Sequence, residues 1–412
     1  MAIKRIKVKN FKSFDELDLE LRPFNVVIGA NASGKSNFTQ IFKFLKDAEE
    51  NDLKNAVALN AGMESLRNLT IGSSRPVSLE VVLDTNIAWG EGEKGLRVNE
   101  IQYSFCVDSQ QEKNGLRITK DQLVQKFEMI QFGRAQKELF ESDVLAHGTC
   151  ILSSVDGKLN YEFDPPDIVD DVNMHIPILS FTKASLPPNI LLIKTPFSLI
   201  PPWEGLFAKT MIYNFDPHLA RNPAQITGKA ELQRDGGNLA LALDQLLEDE
   251  ENRRKFCNLL KDLLPFVDDI GTEKFAEKSL LMTLRENYYE GKDLRAYLLS
   301  DGTINIVALL IALYFEDKNV VVIEEPERHI HPHLISRVVD MMKDASRNKQ
   351  IIVTTHSPEI VKYAGLENLL LAGRGKDGFS RITRPEEKEH LRGFLESELG
   401  LDELYVQNIL AT

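Results

Sequence analysis

The segment Gly29-Ala-Asn-Ala-Ser-Gly34-Lys35-Ser36 constrains this chain more than any other. It follows the apolar run Val26-Val27-Ile28 and leads into Phe38, Ile41, Phe42 and Leu45 at helical spacing. That is the strand, loop and helix context of a phosphate loop. Glycines let the backbone curl until several N–H groups face one anion, and the helix N-terminus adds its positive end. Gly29, Ala30, Asn31, Ala32, Ser33, Gly34, Lys35, Ser36 and Asn37 are therefore the expected contacts to a nucleoside triphosphate. Lys35 is expected to reach the β- and γ-phosphates, and the Ser36 hydroxyl to ligate Mg²⁺.

A net charge of −13 argues against a basic coat for nucleic acid, though not against a local one. Ile6 and Val8 alternate with Arg5, Lys7 and Lys9, so one face of the first strand carries three cations: a solvated face or a phosphate-tracking stripe. The three cysteines, Cys106, Cys150 and Cys257, form no CxxC pair, which speaks against a zinc site or disulfide framework and fits a reducing cytoplasm. The longest apolar stretch, 307–315, is too short to cross a bilayer, and the first residues lack a signal peptide's apolar core.

Along the chain, alternating stretches near 3–9 and 16–21 precede the phosphate-loop strand, and a helix is expected over 35–48. Candidate strands follow at Ser78–Leu83, Ile101–Val107, Lys137–Glu141, Cys150–Ser154 and Leu159–Phe163, with an Asp156-Gly157 turn joining the last two. Prolines cluster at 165–166, 187–188 and 201–202. Beyond them, Leu239, Leu243, Leu246 and Leu247 mark one amphipathic helix and Phe256, Leu259, Leu260 and Leu263 a second, which stops at Pro265. Stretches at 268–275 and 279–286 look extended again. No heptad run lasts three repeats, so long coiled-coil arms are absent. The reading divides the chain into 1–85 (first part of a nucleotide-binding head), 86–185 (β-rich lobe), 186–290 (mainly helical insertion), 291–385 (second part of the head) and 386–412 (helical tail).

Three further strand or helix ends carry chemistry. Val320–Ile323 is apolar on both faces, as in a buried parallel strand, and runs into Glu324-Glu325. Such sheets bind ligands at the carboxyl ends of their strands. Glu324 is assigned to Mg²⁺ and Glu325 to orienting the attacking water. Ile351–Thr355 is a second buried strand, and His356 at its end can donate to the γ-phosphate. Leu299-Ser300-Asp301-Gly302 opens an apolar helix from Ile304 to Phe315; the serine is first an N-cap, but a helix start with a free hydroxyl is also an anion site. His329, His331 and His333 lack ligand spacing to any acidic or cysteine partner, so a metal site is not expected there.

The order of these motifs resembles that of ABC-type ATPases. The opening Ile6-Lys7-Val8-Lys9-Asn10-Phe11-Lys12-Ser13-Phe14 is similar to the start of RecF- and SMC-type ATPases. Glu324-Glu325-Pro326-Glu327 with His331-Pro332, and Thr355-His356-Ser357-Pro358, resemble the RecF/OLD-like group of AAA-family ATPases. Tyr213-Asn214-Phe215-Asp216-Pro217, Asp235-Gly236-Gly237-Asn238-Leu239 and the tail 398–405 are similar to the same group. The resemblance implies an α/β fold: a P-loop NTPase head of ABC type with a β-rich lobe and a helical insertion. It also implies a head-to-tail dimer closed on ATP, in which Ser300, Asp301 and Gly302 complete the site around Lys35 of a second copy. Glu324 stands where Asp is commoner, and Asp301 where transport-type members have Gly. The family's Q-loop glutamine has no clear counterpart; Gln131 is one candidate.

The resemblance implies an ATPase whose catalytic residues are Lys35, Glu325 and His356. Its output is expected either on DNA, as in repair, or on a separately encoded effector or nuclease, as in a defence or toxin module. Only about 55 residues follow His356, without an Asp-x-Asp constellation, so any nuclease is expected on another chain. A nucleotide-gated scaffold with slow turnover is the non-enzymatic alternative. No membrane partner is expected.

Overall fold

The computed structural model describes residues 1–385 apart from 92–93, 111–114, 132–142, 156, 169–171, 173–185, 188, 196–198, 200–204, 228–230, 276 and 290. The candidate strand at 137–141, Asp156 of the expected turn, Pro188, Pro201, Pro202 and the tail 386–412 lie outside the described residues.

In chain order the strands are β1 (Ala2–Phe11), β2 (Phe14–Glu20), β3 (Phe24–Ile28), β4 (Val77–Glu91), β5 (Lys94–Gln110), β6 (Gly115–Gln131), β7 (Asp143–Val155), β8 (Lys158–Asp164), β9 (Thr210–Tyr213), β10 (Ala224–Gln225), β11 (Val267–Lys274), β12 (Ser279–Glu286), β13 (Asp293–Arg295), β14 (Val320–Glu324), β15 (Gln350–Thr355), β16 (Leu369–Arg374) and β17 (Ser380–Thr383). The helices are α1 (Lys35–Glu50), α2 (Leu53–Leu59), α3 (Met63–Leu66), α4 (Pro217–Ala220), α5 (Leu239–Glu248), α6 (Glu250–Leu263), α7 (Asp301–Tyr314), α8 (Pro332–Ala345) and α9 (Pro358–Ala364). They fall into two compact units. The first holds Met1–Arg22, Asn37–Lys209 and Arg374–Ile382; the second holds Pro23–Ser36, Thr210–Gly373 and the described residues from Thr383.

The first unit is built on an antiparallel sheet in the order β2-β1-β4-β5-β6-β7-β8. Its strands are longer than the apolar alternation predicts: β4 runs to Glu91, past a register shift between Asp84 and Ile87 that breaks the period. Phe44 of α1 packs between Phe11 and Phe105, at ring-centre distances of 6.1 and 6.3 Å, and so joins the helix to the sheet. A buried polar pair lies in this core: the Tyr103 hydroxyl donates to Asp121 at 2.9 Å, and the Leu192 N–H donates to its other oxygen at 2.8 Å. Burial pushes the Asp121 carboxyl up to about 7. The cations of β1 are matched by acids. Arg5 meets Asp18 at 2.6 Å, Lys7 meets Asp18 at 3.4 Å, and Lys9 meets Glu16 at 3.0 Å, because β2 runs antiparallel with Lys7 opposite Asp18 and Lys9 opposite Glu16.

The second unit contains a parallel sheet in which β16, β3, β15, β14 and β9 lie side by side in that order. Phe24–Ile28, Val320–Ile323 and Gln350–Thr355 are buried throughout, as expected of strands covered on both faces. The expected helices appear as α5 and α6, with Leu239, Leu243, Phe256, Leu260 and Leu263 in the core. The extended stretches become the β11–β12 hairpin of a small antiparallel sheet that also holds β10 and β13. Helix α7 is buried from Thr303 to Leu313, so it runs through the core.

Candidate nucleotide site

Parallel pairing sets four strand ends at one edge of the second unit. Thr355 pairs with Ile28, Glu324 with Thr354, and Ile323 with Tyr213, so the residues that follow converge there. They are Gly29 after β3, Glu325 after β14, His356 after β15 and Asn214 after β9.

The phosphate loop curls tightly. Ser33 N–H bonds the Ala30 carbonyl at 3.2 Å, Ala32 is left-handed at φ 62° and Gly34 has φ 111°. A Cβ on Gly29 would lie 2.1 Å from the Ala372 carbonyl oxygen of β16, which only glycine avoids. The Lys35 ammonium donates to the Gly29 and Ala30 carbonyls at 2.8 and 3.0 Å. Burial lowers its proton affinity, and the nearby Glu325 opposes that shift. Inside the loop the Ser33 hydroxyl is buried without a hydrogen-bond partner. An orphaned donor beside a buried lysine and curled N–H groups fits a phosphate anion. The amide of Asn37, one turn on, donates to Ser13 at 2.7 Å.

Glu324 and Glu325 each face a guanidinium. Glu324 accepts from Arg234 at 3.4 Å, and Glu325 from Arg328 at 2.6 Å. The other oxygen of Glu325 is 3.8 Å from His356 Nε2. Glu325 adopts φ 49°, a left-handed conformation that costs a non-glycine residue about 1–3 kcal/mol, and its N–H is fixed on the Thr354 carbonyl at 2.8 Å. His356 is pushed down from the usual histidine range by burial and then by the charge of Lys35, while Glu325 pulls the other way. Lys35, Glu325 and His356 are thus brought into one electrostatically coupled group. Oxygen donors suit Mg²⁺, and the exposed Ser36 hydroxyl and Glu324 are the residues that would hold it.

The start of α7 is a capped helix N-terminus. Ser300 Oγ accepts from the Thr303 N–H at 3.1 Å. Asp301 pairs with Arg221 and lies 3.5 Å from His329 Nδ1. A Cβ on Gly302 would meet the His329 carbonyl oxygen at 2.5 Å, and Asn305 Nδ2 donates to the Arg328 carbonyl at 2.8 Å. Asp301 and Gly302 of the Ser300-Asp301-Gly302 signature therefore pack on the turn that follows their own chain's Glu325. His331 and His333 lie Nδ1 to Nδ1 at 2.6 Å, and no group of three metal-binding side chains occurs among the described residues.

Sequence reasoning missed Arg234, Arg328, Asn214 and the side chain of Glu327. For Asn214 a signal existed: a polar residue directly after an apolar strand, the pattern that exposed His356. Its Oδ1 lies 3.4 Å from Arg328, and its N–H bonds the Arg234 carbonyl at 2.9 Å. Gln131 ends β6 in the first unit. Within the second unit, an amide beside the acidic strand end is that of Asn214.

A parallel sheet with a phosphate loop, a double-acid strand end, a histidine strand end and a serine-capped signature helix defines the class: an ABC-type ATPase head of RecF/SMC/OLD-like kind. The chain belongs to the family described as "AAA domain, putative AbiEii toxin, Type IV TA system", whose model matches residues 24–362. It is 33% identical over 106 residues to the DNA replication and repair protein RecF of Halalkalibacterium halodurans, covering 25% of this chain and 27% of that protein. It is 28% identical over 102 residues to the Septu protein PtuA of Bacillus thuringiensis, covering 22% of this chain and 26% of that protein. The chain thus matches about a quarter of the length of these relatives. A crystal structure of an SMC head bound to the C-terminal winged-helix domain of ScpA covers 93% of this chain and 98% of its own, with a TM-score of 0.50 at 14% identity, and so shares the fold. No helix among the described residues is long and apolar enough to cross a membrane.

Proposed function

We propose that the protein binds and hydrolyses ATP, and that two copies close head to tail on the nucleotide to gate a partner. The observation that carries this reading is the convergence of Lys35, Glu324, Glu325 and His356 on one sheet edge, with His356 Nε2 3.8 Å from Glu325. In the reaction, water attacks the γ-phosphorus and the bond to the bridging oxygen of ADP breaks. Glu325 orients the water. Lys35 and the loop N–H groups hold the phosphates, and His356 donates to the γ-phosphoryl oxygen. Ser36 and Glu324 would hold Mg²⁺, which would supply charge neutralisation to the phosphates when bound. Ser300 and Gly302 of the second copy complete the site.

The test is Glu325→Gln. With ATP and Mg²⁺ it should form a stable dimer, read by light scattering after gel filtration, with phosphate release at least tenfold slower than the parent's. A variant that stays monomeric sinks the head-to-tail reading.

For the output, the paired cations of β1 favour a separately encoded protein effector over DNA. Arg5, Lys7 and Lys9 already face Asp18 and Glu16, so the stripe offers little net charge to a phosphate backbone. The similarity to RecF supports the DNA reading, and the family's description as a toxin–antitoxin component supports a toxin-module setting. Turnover measured with and without linear duplex DNA at two salt concentrations separates them: stimulation that fades with salt puts the protein on DNA.

A further inference from the structure

Glu327 lies two residues beyond Glu325, and nothing in the hydrolytic scheme above uses it. Its carboxyl is largely buried. One oxygen accepts from the Thr355 hydroxyl at 2.5 Å and from the His356 N–H at 3.3 Å; the other is buried without a partner. The Thr355 hydroxyl in turn accepts the Ser357 N–H at 2.8 Å, which directs its own proton towards Glu327. Burial, and then the charge of Glu325, raise the proton affinity of this carboxyl. A buried acid with an orphaned oxygen is costly unless its geometry matters. Here the backbone on both sides of His356 is tied, directly or through Thr355, to one carboxyl oxygen on the turn that carries Glu325. The only other hydrogen bond described between that turn and β15 is Glu325 N–H to the Thr354 carbonyl.

We infer that Glu327 is a positioning residue for His356: it bolts the end of β15 to the turn after β14, so that the imidazole stays in register with Glu325 at the γ-phosphate. The inference rests on the ATPase reading above. What the bolt requires is an acceptor, not a charge. Gln keeps a carbonyl oxygen at the same place, whereas Ala leaves the Thr355 hydroxyl and the His356 N–H unpaired.

The experiment compares Glu327→Ala, Glu327→Gln, Thr355→Val and Thr355→Ser in the full chain. Glu327→Ala should lower kcat about tenfold or more while ATP affinity stays within twofold, the loss expected when a catalytic group is displaced by a fraction of an ångström. Glu327→Gln should retain most turnover. Thr355→Val should reproduce the alanine phenotype and Thr355→Ser should restore activity, so the outcome does not depend on Glu327→Ala folding. The His356 ring resonances of histidine-labelled protein give a second readout, independent of hydrolysis: they should shift and broaden in Glu327→Ala and remain in Glu327→Gln. Parent-like turnover of Glu327→Ala, a glutamine variant as poor as the alanine one, or unmoved His356 resonances in Glu327→Ala would each overturn the inference. A parent chain that binds ATP without hydrolysing it would instead defeat the ATPase reading, and the resonances would still decide the position of His356.

Discussion

Gly302→Ala tests how the signature helix is seated. The added Cβ would lie 2.5 Å from the His329 carbonyl oxygen, with the His329 carbonyl carbon at 3.5 Å and Ile330 Cα at 3.9 Å. All three are backbone atoms, so no flexible side chain can swing aside. Ordinary contact begins at 3.4 Å, which requires α7 and the turn to separate by about 0.9 Å. The bond from Asn305 to the Arg328 carbonyl, now 2.8 Å, would stretch beyond useful length. Overpacking costs about 1–3 kcal/mol and the lost hydrogen bond about 1 kcal/mol. Alanine's better helix propensity recovers less than about 1 kcal/mol in a first turn. The net loss is about 2 kcal/mol, or roughly 4–8 °C in the melting temperature of a unit this size. Calorimetry without nucleotide is the assay. Ser300→Ala, which removes the N-cap bond and the Ser300–Thr303 hydroxyl contact, should cost about 1 kcal/mol and serves as the scale. A Gly302→Ala protein that melts within 1 °C of the parent would refute the packing of the signature glycine on its own chain's turn, and would assign its glycine requirement wholly to the second copy.

Other outcomes follow from the same geometry. Glu325→Gln should accumulate an ATP-bound dimer, as set out above. Asp121 holds its proton up to about pH 7 in the folded state, whereas the unfolded carboxyl has the ordinary value of 3.8. The folded state therefore binds the extra proton between these values, and stability should fall as pH rises from about 4 to 7. Asp121→Asn should flatten that part of the pH–melting curve; an unchanged slope would assign it to other groups. Replacing Arg5, Lys7 and Lys9 together should leave any DNA affinity and its salt dependence nearly unchanged, because each cation already has an acidic partner. A clear loss with a shallower salt slope would restore the DNA stripe.

The parts of the fold that were legible in the sequence share one cause. β3, β14 and β15 are covered on both faces, so each appears as an uninterrupted apolar run whose polar successor marks the ligand edge. The first unit was harder to read. Register shifts between Val98 and Glu100 and between Cys106 and Val107 move side chains across the sheet and interrupt the two-residue period, so β5 extends well past its apolar centre. Least legible were contacts between residues far apart in the chain. Arg234 meets Glu324 ninety positions away, and no local period encodes such a pairing. The acids facing β1 could have been found: Glu16 and Asp18 alternate with Leu17 and Leu19, which puts them on the same face as Lys7 and Lys9 once a hairpin is drawn. Glu327 was legible as a letter of a motif, but its bonds became visible only once β14 and β15 were laid side by side.

The placement of β3 has a consequence for the chain as it is made. The antiparallel sheet of the first unit has all its strands by residue 164 and can form early during synthesis. The phosphate-loop strand cannot be completed so soon, because its neighbours are β15 and β16, and Phe24 pairs with Ile351, about 330 residues later. At 5–20 residues per second a ribosome takes roughly 15–60 s to cover that distance. Through that interval Phe24–Ile28 is an apolar strand with both edges bare, the kind of segment that pairs with the wrong neighbour. The phosphate-loop strand is thus flanked on both sides only after β16 has been made, so a chain cut short before residue 369 should lack a completed nucleotide site.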